Sequence, residues 1–143
     1  MQKPKIIMKK ILLVLILSIV CLSFATVSLS NKKVDEKMIG IWKGFEKDQQ
    51  IEGVEKHWIQ ERFKDGTYII MFTAIENCEV QTFVEKGKWW VEDGKFYEIS
   101  NGSKESDVYN YEIIDDLVVK FKSIKMSGKD IDTYIFEDYK VVD

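Results

Sequence analysis

The stretch Asp107-Val108-Tyr109-Asn110-Tyr111-Glu112-Ile113-Ile114-Asp115-Asp116-Leu117-Val118-Val119-Lys120-Phe121-Lys122 decides the fold. Tyr109, Tyr111 and Ile113 alternate with Asn110 and Glu112, and Leu117, Val119 and Phe121 alternate with Lys120 and Lys122. A period of two residues sends one set of side chains into a core and the other into water, the pattern of a half-buried antiparallel strand. Asp115-Asp116 divides the two runs as a turn. The same unit recurs outward in both directions. Asp65-Gly66, Asp93-Gly94, Asn101-Gly102 and Ser127-Gly128 mark further turns, because such pairs tolerate the positive φ of tight hairpins. Between these turns the sequence predicts strands at 40–46, 55–64, 67–75, 79–85, 87–92, 95–100, 107–115, 117–124 and 131–141. If Gly87 is a bend or bulge within one long strand over 79–92, the total is eight. Sequential strands with short turns make an up-and-down meander, and eight of them close into a barrel without edges. Residues 32–38 are predicted to add one or two helical turns, with Val34 and Met38 on one face. The fold class is therefore all-β, an antiparallel meander of about eight strands closed into a barrel, with a short N-terminal helix.

The segment from Thr67 to Ile75 carries no charge and is apolar on both faces. Its outer face needs a cover, which the N-terminal helix or a partner protein would supply.

Composition bounds the function. The chain has 143 residues, 45% hydrophobic and 31% charged, which excludes intrinsic disorder and allows a real core. Residues 31–143 are enough for one domain and too few for two. They hold 17 basic and 24 acidic residues, a net charge of −7, the wrong sign for a nucleic-acid surface.

Residues 1–30 read as an export signal. Lys3, Lys5, Lys9 and Lys10 precede an apolar run from Ile11 to Val20, and Cys21, Ser23, Ala25, Ser28 and Ser30 follow. Basic, apolar and small segments in that order form a secretory signal peptide. Cleavage is expected after Ala25 or Ser30, leaving no stable membrane span and a periplasmic or extracellular domain. The apolar run is short of the roughly 20 residues that span a bilayer, so an uncleaved anchor is the lesser alternative. A lipid anchor at Cys21 is another, weakened because β-branched Val20 stands where a lipoprotein signal needs a small residue. Once Cys21 is removed, Cys78 has no partner within the chain. Its acidic neighbours, Glu76 and Glu79, disfavour the thiolate.

Gly40-Ile41-Trp42 opens the first strand, after a short helical turn and before the meander. In this it resembles the lipocalins and the small bacterial lipocalin-like domains, a calycin-type barrel. The pieces Phe63-Lys64-Asp65-Gly66-Thr67-Tyr68 and Gly87-Lys88-Trp89-Trp90-Val91-Glu92-Asp93-Gly94-Lys95-Phe96 look like the bacterial version, and the likeness runs over residues 38–141. The resemblance implies that Gly40 and Trp42 close one end of the barrel, with an arginine packed across the indole. The one arginine, Arg62, lies in the second strand, and Lys140 stands near the expected place. The resemblance also implies an open end for an apolar ligand, with the connection from Glu46 to Gly53 across the mouth.

The residues of enzyme chemistry are sparse. His57 is the single histidine, and no serine sits in a nucleophile-elbow context. One His and one Cys fall short of a zinc site. Asp130 and Asp132 share a face without the ligand spacing of a calcium loop, and the eight glycines are too scattered for a phosphate loop. No catalytic residue, metal or cofactor is expected. The aromatics are the remaining signal: Trp58, Phe72, Trp90 or its neighbour Trp89, Tyr109, Tyr111, Phe121, Tyr134 and Phe136 would line the barrel. They read either as a ligand site or as plain core. The function expected is an exported, non-enzymatic, lipocalin-like protein that binds a small hydrophobic ligand. The alternative is a filled barrel that binds a protein partner, as an inhibitor or immunity-type protein does.

Overall fold

The computed structural model describes residues 31–142, so the export signal, its cleavage after Ala25 or Ser30, and Cys21 lie outside the described residues. Nine strands follow in order: β1 (Gly40–Lys47), β2 (Glu55–Arg62), β3 (Thr67–Glu76), β4 (Glu79–Glu92), β5 (Lys95–Ser100), β6 (Asp107–Ile113), β7 (Val118–Met126), β8 (Lys129–Asp130) and β9 (Ile135–Lys140). From β1 to β7 each strand pairs antiparallel with the next, and β9 pairs with both β7 and β1. Eight strands thus form a closed ring, and β8 is a two-residue extension on β7. This is the closed antiparallel meander that the alternation predicts.

The expected helix is reduced to one 3-10 turn, Glu36–Met38, capped by the Asp35 carboxylate, which accepts from the Lys37 amide at 3.0 Å. The residues before it are extended because their backbone has a better partner. Beyond the first residue of β3, Lys33 exchanges two hydrogen bonds with Val91 of β4, at 3.0 and 2.7 Å.

Hairpin chemistry fixes which end is which. Asn77 and Cys78, Asp93 and Gly94, and Ser127 and Gly128 all have positive φ at both turn positions, the geometry that matches strand twist in two-residue hairpins. The turns after β2, β4 and β6 lie at the base, and those after β1, β3, β5 and β7 lie at the mouth. The base is filled. Met38 is fully buried there, and Trp42 donates from Nε1 to the Met38 carbonyl at 2.9 Å. Lys140 Nζ lies 5.3 Å from the centre of the Trp42 ring, and the Arg62 guanidinium carbon 5.7 Å from it. Trp89, Phe96, Phe121 and Val119 complete this floor, with Phe96 edge-on to Phe121 at 5.1 Å.

The wall is not of even height. β4 pairs with β3 along ten residues but with β5 only from Gly87 onward. The β3–β4 hairpin therefore rises above β5 and β6, which leaves a side opening at the mouth. Residues 79–92 are one continuous strand, and Gly87 is neither bulge nor break. It is the point where β4 gains its second neighbour. A Cβ there would fall 2.1 Å from the Ile99 carbonyl oxygen and 2.7 Å from the Tyr68 ring. The Ile99 carbonyl is backbone and cannot retreat without parting β4 from β5. Gly87→Ala is expected to cost about 2–3 kcal/mol in urea unfolding, and a loss below about 0.5 kcal/mol would contradict this geometry.

The outer face of β3 differs from expectation. Lys33 meets β4 at Val91, and Met71 is 43% exposed. With Ile59 of β2 and Val84 of β4 beside it in register, Met71 belongs to an apolar strip on the outside of the wall.

Candidate functional site

β2 supplies Lys56, Trp58, Gln60 and Arg62 to the interior above the aromatic floor. Trp58 points inward, so alternation sends Lys56, Gln60 and Arg62 inward with it and turns His57, Ile59 and Glu61 away from the interior. This reverses the ordinary preference, because three polar side chains enter the barrel while an isoleucine faces water. Opposite Trp58 in register stands Gly44, and beyond it Asp138 of β9. With no side chain at Gly44, the Trp58 indole crosses β1 and donates from Nε1 to Asp138 Oδ1 at 2.7 Å. The second Asp138 oxygen accepts from Arg62 Nη2. Arg62 and Asp138 are both almost wholly buried, and this is the deepest ion pair among the described residues.

That pair leaves part of Arg62 unused. Its Nε and Nη1, and Nε2 of Gln60, are buried without a hydrogen-bond partner among the described residues. Arg62 and Gln60 are each 2% exposed. The rings of Phe96 and Phe121, 5.1 and 5.4 Å from the guanidinium carbon, favour its charge but accept no ordinary hydrogen bond. Buried donors normally find a partner in protein or water. These border a cavity of about 200 Å³, lined also by Lys56, Trp58, Ile70, Phe72, Tyr109, Met126, Tyr134 and Phe136.

The wall facing β2 is acidic. Glu85, Glu98 and Asp107 line both this cavity and a second space of about 290 Å³, where the low rim of β5 and β6 opens sideways. Tyr68 donates to Glu85 at 2.5 Å, and Asp107 accepts from the Ser127 amide at 2.7 Å. Glu98 has weaker support, a Tyr109 hydroxyl 3.5 Å away. Burial pushes the Glu98 carboxyl up to about 7, opposed by Arg62 and reinforced by Asp107, Asp138 and Glu85. Burial also raises Asp107 and lowers Lys56, the latter in spite of Glu46 beside it at 3.7 Å.

A bulge completes the lining. Val108 pairs with Lys125 but Tyr109 pairs with Ser123, so Ile124 is an extra residue on β7. The bulge shifts the alternation by one and turns Met126, instead of Lys125, toward the cavity.

The Glu98 environment has a thermodynamic consequence. Held near 7 when folded against about 4.5 ordinarily, Glu98 keeps its proton longer in the folded chain. Its contribution to stability is intact below about pH 4.5 and is lost as pH rises toward 7. A shift of that size is worth about 3 kcal/mol in full burial, and solvent reaching the half-buried residue reduces this to about 1–2 kcal/mol. Glu98→Gln is therefore expected to match the parent in urea unfolding at pH 4.5 and to exceed it by that amount at pH 8. Parallel curves for the two proteins across this range would contradict the assignment.

The sequence-predicted residues separate into three groups. Trp58, Phe72, Tyr109, Tyr134 and Phe136 meet at the cavity. Phe121 lies in the floor, and Tyr111 lies low in the barrel with its hydroxyl 3.2 Å from Asp35. Trp90 is not a lining residue: alternation puts Trp89 inside, and Trp90 stacks on Tyr97 outside at 5.3 Å with Lys32 over its ring. Gly40 and Trp42 are at the closed end. The expected mouth loop places Gln50 at the cavity. Sequence reasoning missed Gln60, Arg62, Glu98 and Asp138 as a group, although the parity fixed by Trp58 and Phe136 already sends Gln60, Arg62 and Asp138 inward.

A larger depression, about 630 Å³, lies outside the wall. Phe45, Ile59, Met71, Ile135 and Tyr139 form its apolar part, with Lys43, His57, Lys120 and Glu137 among them. His57 is bonded to Glu55 at 2.8 Å and stands near Phe45, and Cys78 is exposed at a hairpin tip. Among the described residues no three His, Cys, Asp or Glu side chains are grouped to hold a metal, and no helix is long and apolar enough to cross a membrane. No protein-family model matches this sequence, and no curated protein matches it.

Proposed function

We propose that this chain is an exported, non-enzymatic binding protein of the lipocalin-like kind, which takes a small molecule through the barrel mouth. One observation carries the reading: a barrel closed at the base keeps buried, unpartnered donors of Gln60 and Arg62 at a cavity. Buried polar atoms left without partners are destabilising, and a ligand supplies the partners. The lining refines the hydrophobic ligand that the resemblance implies. Trp58, Ile70, Phe72, Met126 and Phe136 suit an apolar body, and the floor of the cavity suits a polar end. The cavity of about 200 Å³ is below the usual range of roughly 300–1,000 Å³ for ligand sites, which favours a small molecule.

Native mass spectrometry of the protein exported with its own signal tests this. A mass excess that disappears on denaturation is expected, on a chain that starts at residue 26 or 31. A bare mass would remove the support for a resident ligand, and a lipid adduct on Cys21 would replace soluble export with membrane anchoring.

The outer depression favours a second reading, docking of a protein partner. Phe45 and Ile59 are each 50% exposed and Met71 43%, and together with Ile135 and Tyr139 they give the depression exposed apolar side chains set among Lys43, Lys120 and Glu137, a mixed surface of the sort that marks interaction sites. Retention of a partner by the parent protein and its loss in Ile59→Glu, with ligand binding unchanged, would assign that role to the outer wall.

A further inference from the structure

The two walls of the cavity ask for opposite things. On the β2 side are hydrogen-bond donors without acceptors: Gln60 Nε2 and Arg62 Nε and Nη1. On the β4–β6 side are carboxylates with capacity to spare: Glu98 has one long hydrogen bond, Glu85 accepts one shorter bond, and Asp107 accepts from the Ser127 amide and from the Tyr109 hydroxyl that it shares with Glu98. The two sets line the same cavity, yet no direct hydrogen bond or salt bridge joins them among the described residues. A group that bridges them must accept from one wall and donate to the other.

We infer that the ligand is amphoteric, a hydrophobic α-amino acid whose carboxylate accepts from Gln60 and Arg62 while its ammonium donates to Glu98 and Asp107. This rests on the small-ligand reading above and narrows it. A simple fatty acid satisfies Arg62 but sets its charge against Glu85 and Asp107. A simple amine satisfies the acids and leaves Gln60 and Arg62 as they are. Only a molecule with both ends close together relieves both walls, since charge-assisted hydrogen bonds are the strong ones. The remaining lining, Ile70, Phe72, Met126 and Phe136, suits an aliphatic side chain, and the confined volume excludes a long one. Lys56 is occupied elsewhere, by Glu46 and Gln50, so it does not duplicate the carboxylate site.

Calorimetric titration of the exported protein, stripped of bound molecules by refolding, separates the cases. The probes are L-leucine, 4-methylpentanoate (leucine without its amine) and isopentylamine (leucine without its carboxylate). Leucine is expected to bind at least tenfold tighter than either fragment. Glu98→Gln and Gln60→Leu are each expected to weaken leucine at least tenfold, with the fold of each variant checked by its unfolding midpoint. Equal binding of leucine and 4-methylpentanoate would overturn the amphoteric head and leave the small-ligand reading standing. No binding of any probe by a protein that carries a native mass excess would do the same. If no probe binds and the exported protein has a bare mass, the cavity holds water, and both readings fall.

Discussion

Asp138→Ala is expected to lower stability by about 3–5 kcal/mol, the usual cost of removing one partner from a buried ion pair. For a domain of this size that is a fall of roughly 10–20 °C in Tm. Asp138 receives Trp58 Nε1 and Arg62 Nη2 on separate oxygens, so the substitution orphans a buried charge and a buried indole N–H together. Asp138→Asn keeps an acceptor and loses the charge, and it belongs between parent and alanine. The double variant Arg62→Met, Asp138→Leu tests the cause. If the penalty comes from the abandoned charge, removing both charges recovers most of it, because a buried pair contributes little net stability over apolar residues of similar volume. Urea unfolding followed by tryptophan fluorescence reads all four proteins. A loss under about 1 kcal/mol in Asp138→Ala would mean that Arg62 finds another carboxylate, and Glu98 across the cavity is the one placed to receive it.

That result bears on what the sequence can disclose. The meander was legible because most strands obey a simple rule: apolar side chains at every second position, then a turn pair with positive φ. The rule works where one face is core and the other water, as in β6 and β7. It misleads on β2. There Lys56, Gln60 and Arg62 face inward and Ile59 outward, so polarity alone gives the wrong side. The anchor is Trp58, too large to leave exposed beside a glycine, and from it the parity of every β2 side chain follows. Trp89 and Trp90 were undecidable by composition, since one of two adjacent aromatics must face out. The register with Phe96 and Tyr97 decides between them. Glu98 was beyond reach for a different reason. Its significance comes from Arg62, Asp107 and Asp138 on three other strands, and only closure of the ring brings those together.

Gly44→Val is expected to be as damaging as loss of Asp138, about 3–5 kcal/mol, from overpacking together with a lost buried hydrogen bond. Even a Cβ at this position falls 2.1 Å from Cζ2 and 2.2 Å from Cε2 of Trp58. The end of a flexible side chain would move aside. This one is held at Nε1 by Asp138 at 2.7 Å and edge-on by Phe136, 5.5 Å away between ring centres. Displacing the indole therefore breaks the hydrogen bond, leaves one oxygen of the buried Asp138 carboxylate without its donor while the pair with Arg62 stands, and moves a wall of the cavity. A size exchange distinguishes steric from backbone causes. Trp58→Leu alone leaves a void and a free Asp138 oxygen and is expected to destabilise. Joined to Gly44→Val, the smaller leucine makes room for the valine, and the two changes should cost less together than the sum of each, by about 0.5–3 kcal/mol. Strict additivity would place the damage in the β1 backbone instead, and would separate Gly44 from the Trp58–Asp138–Arg62 chain on which the ligand-facing donors depend.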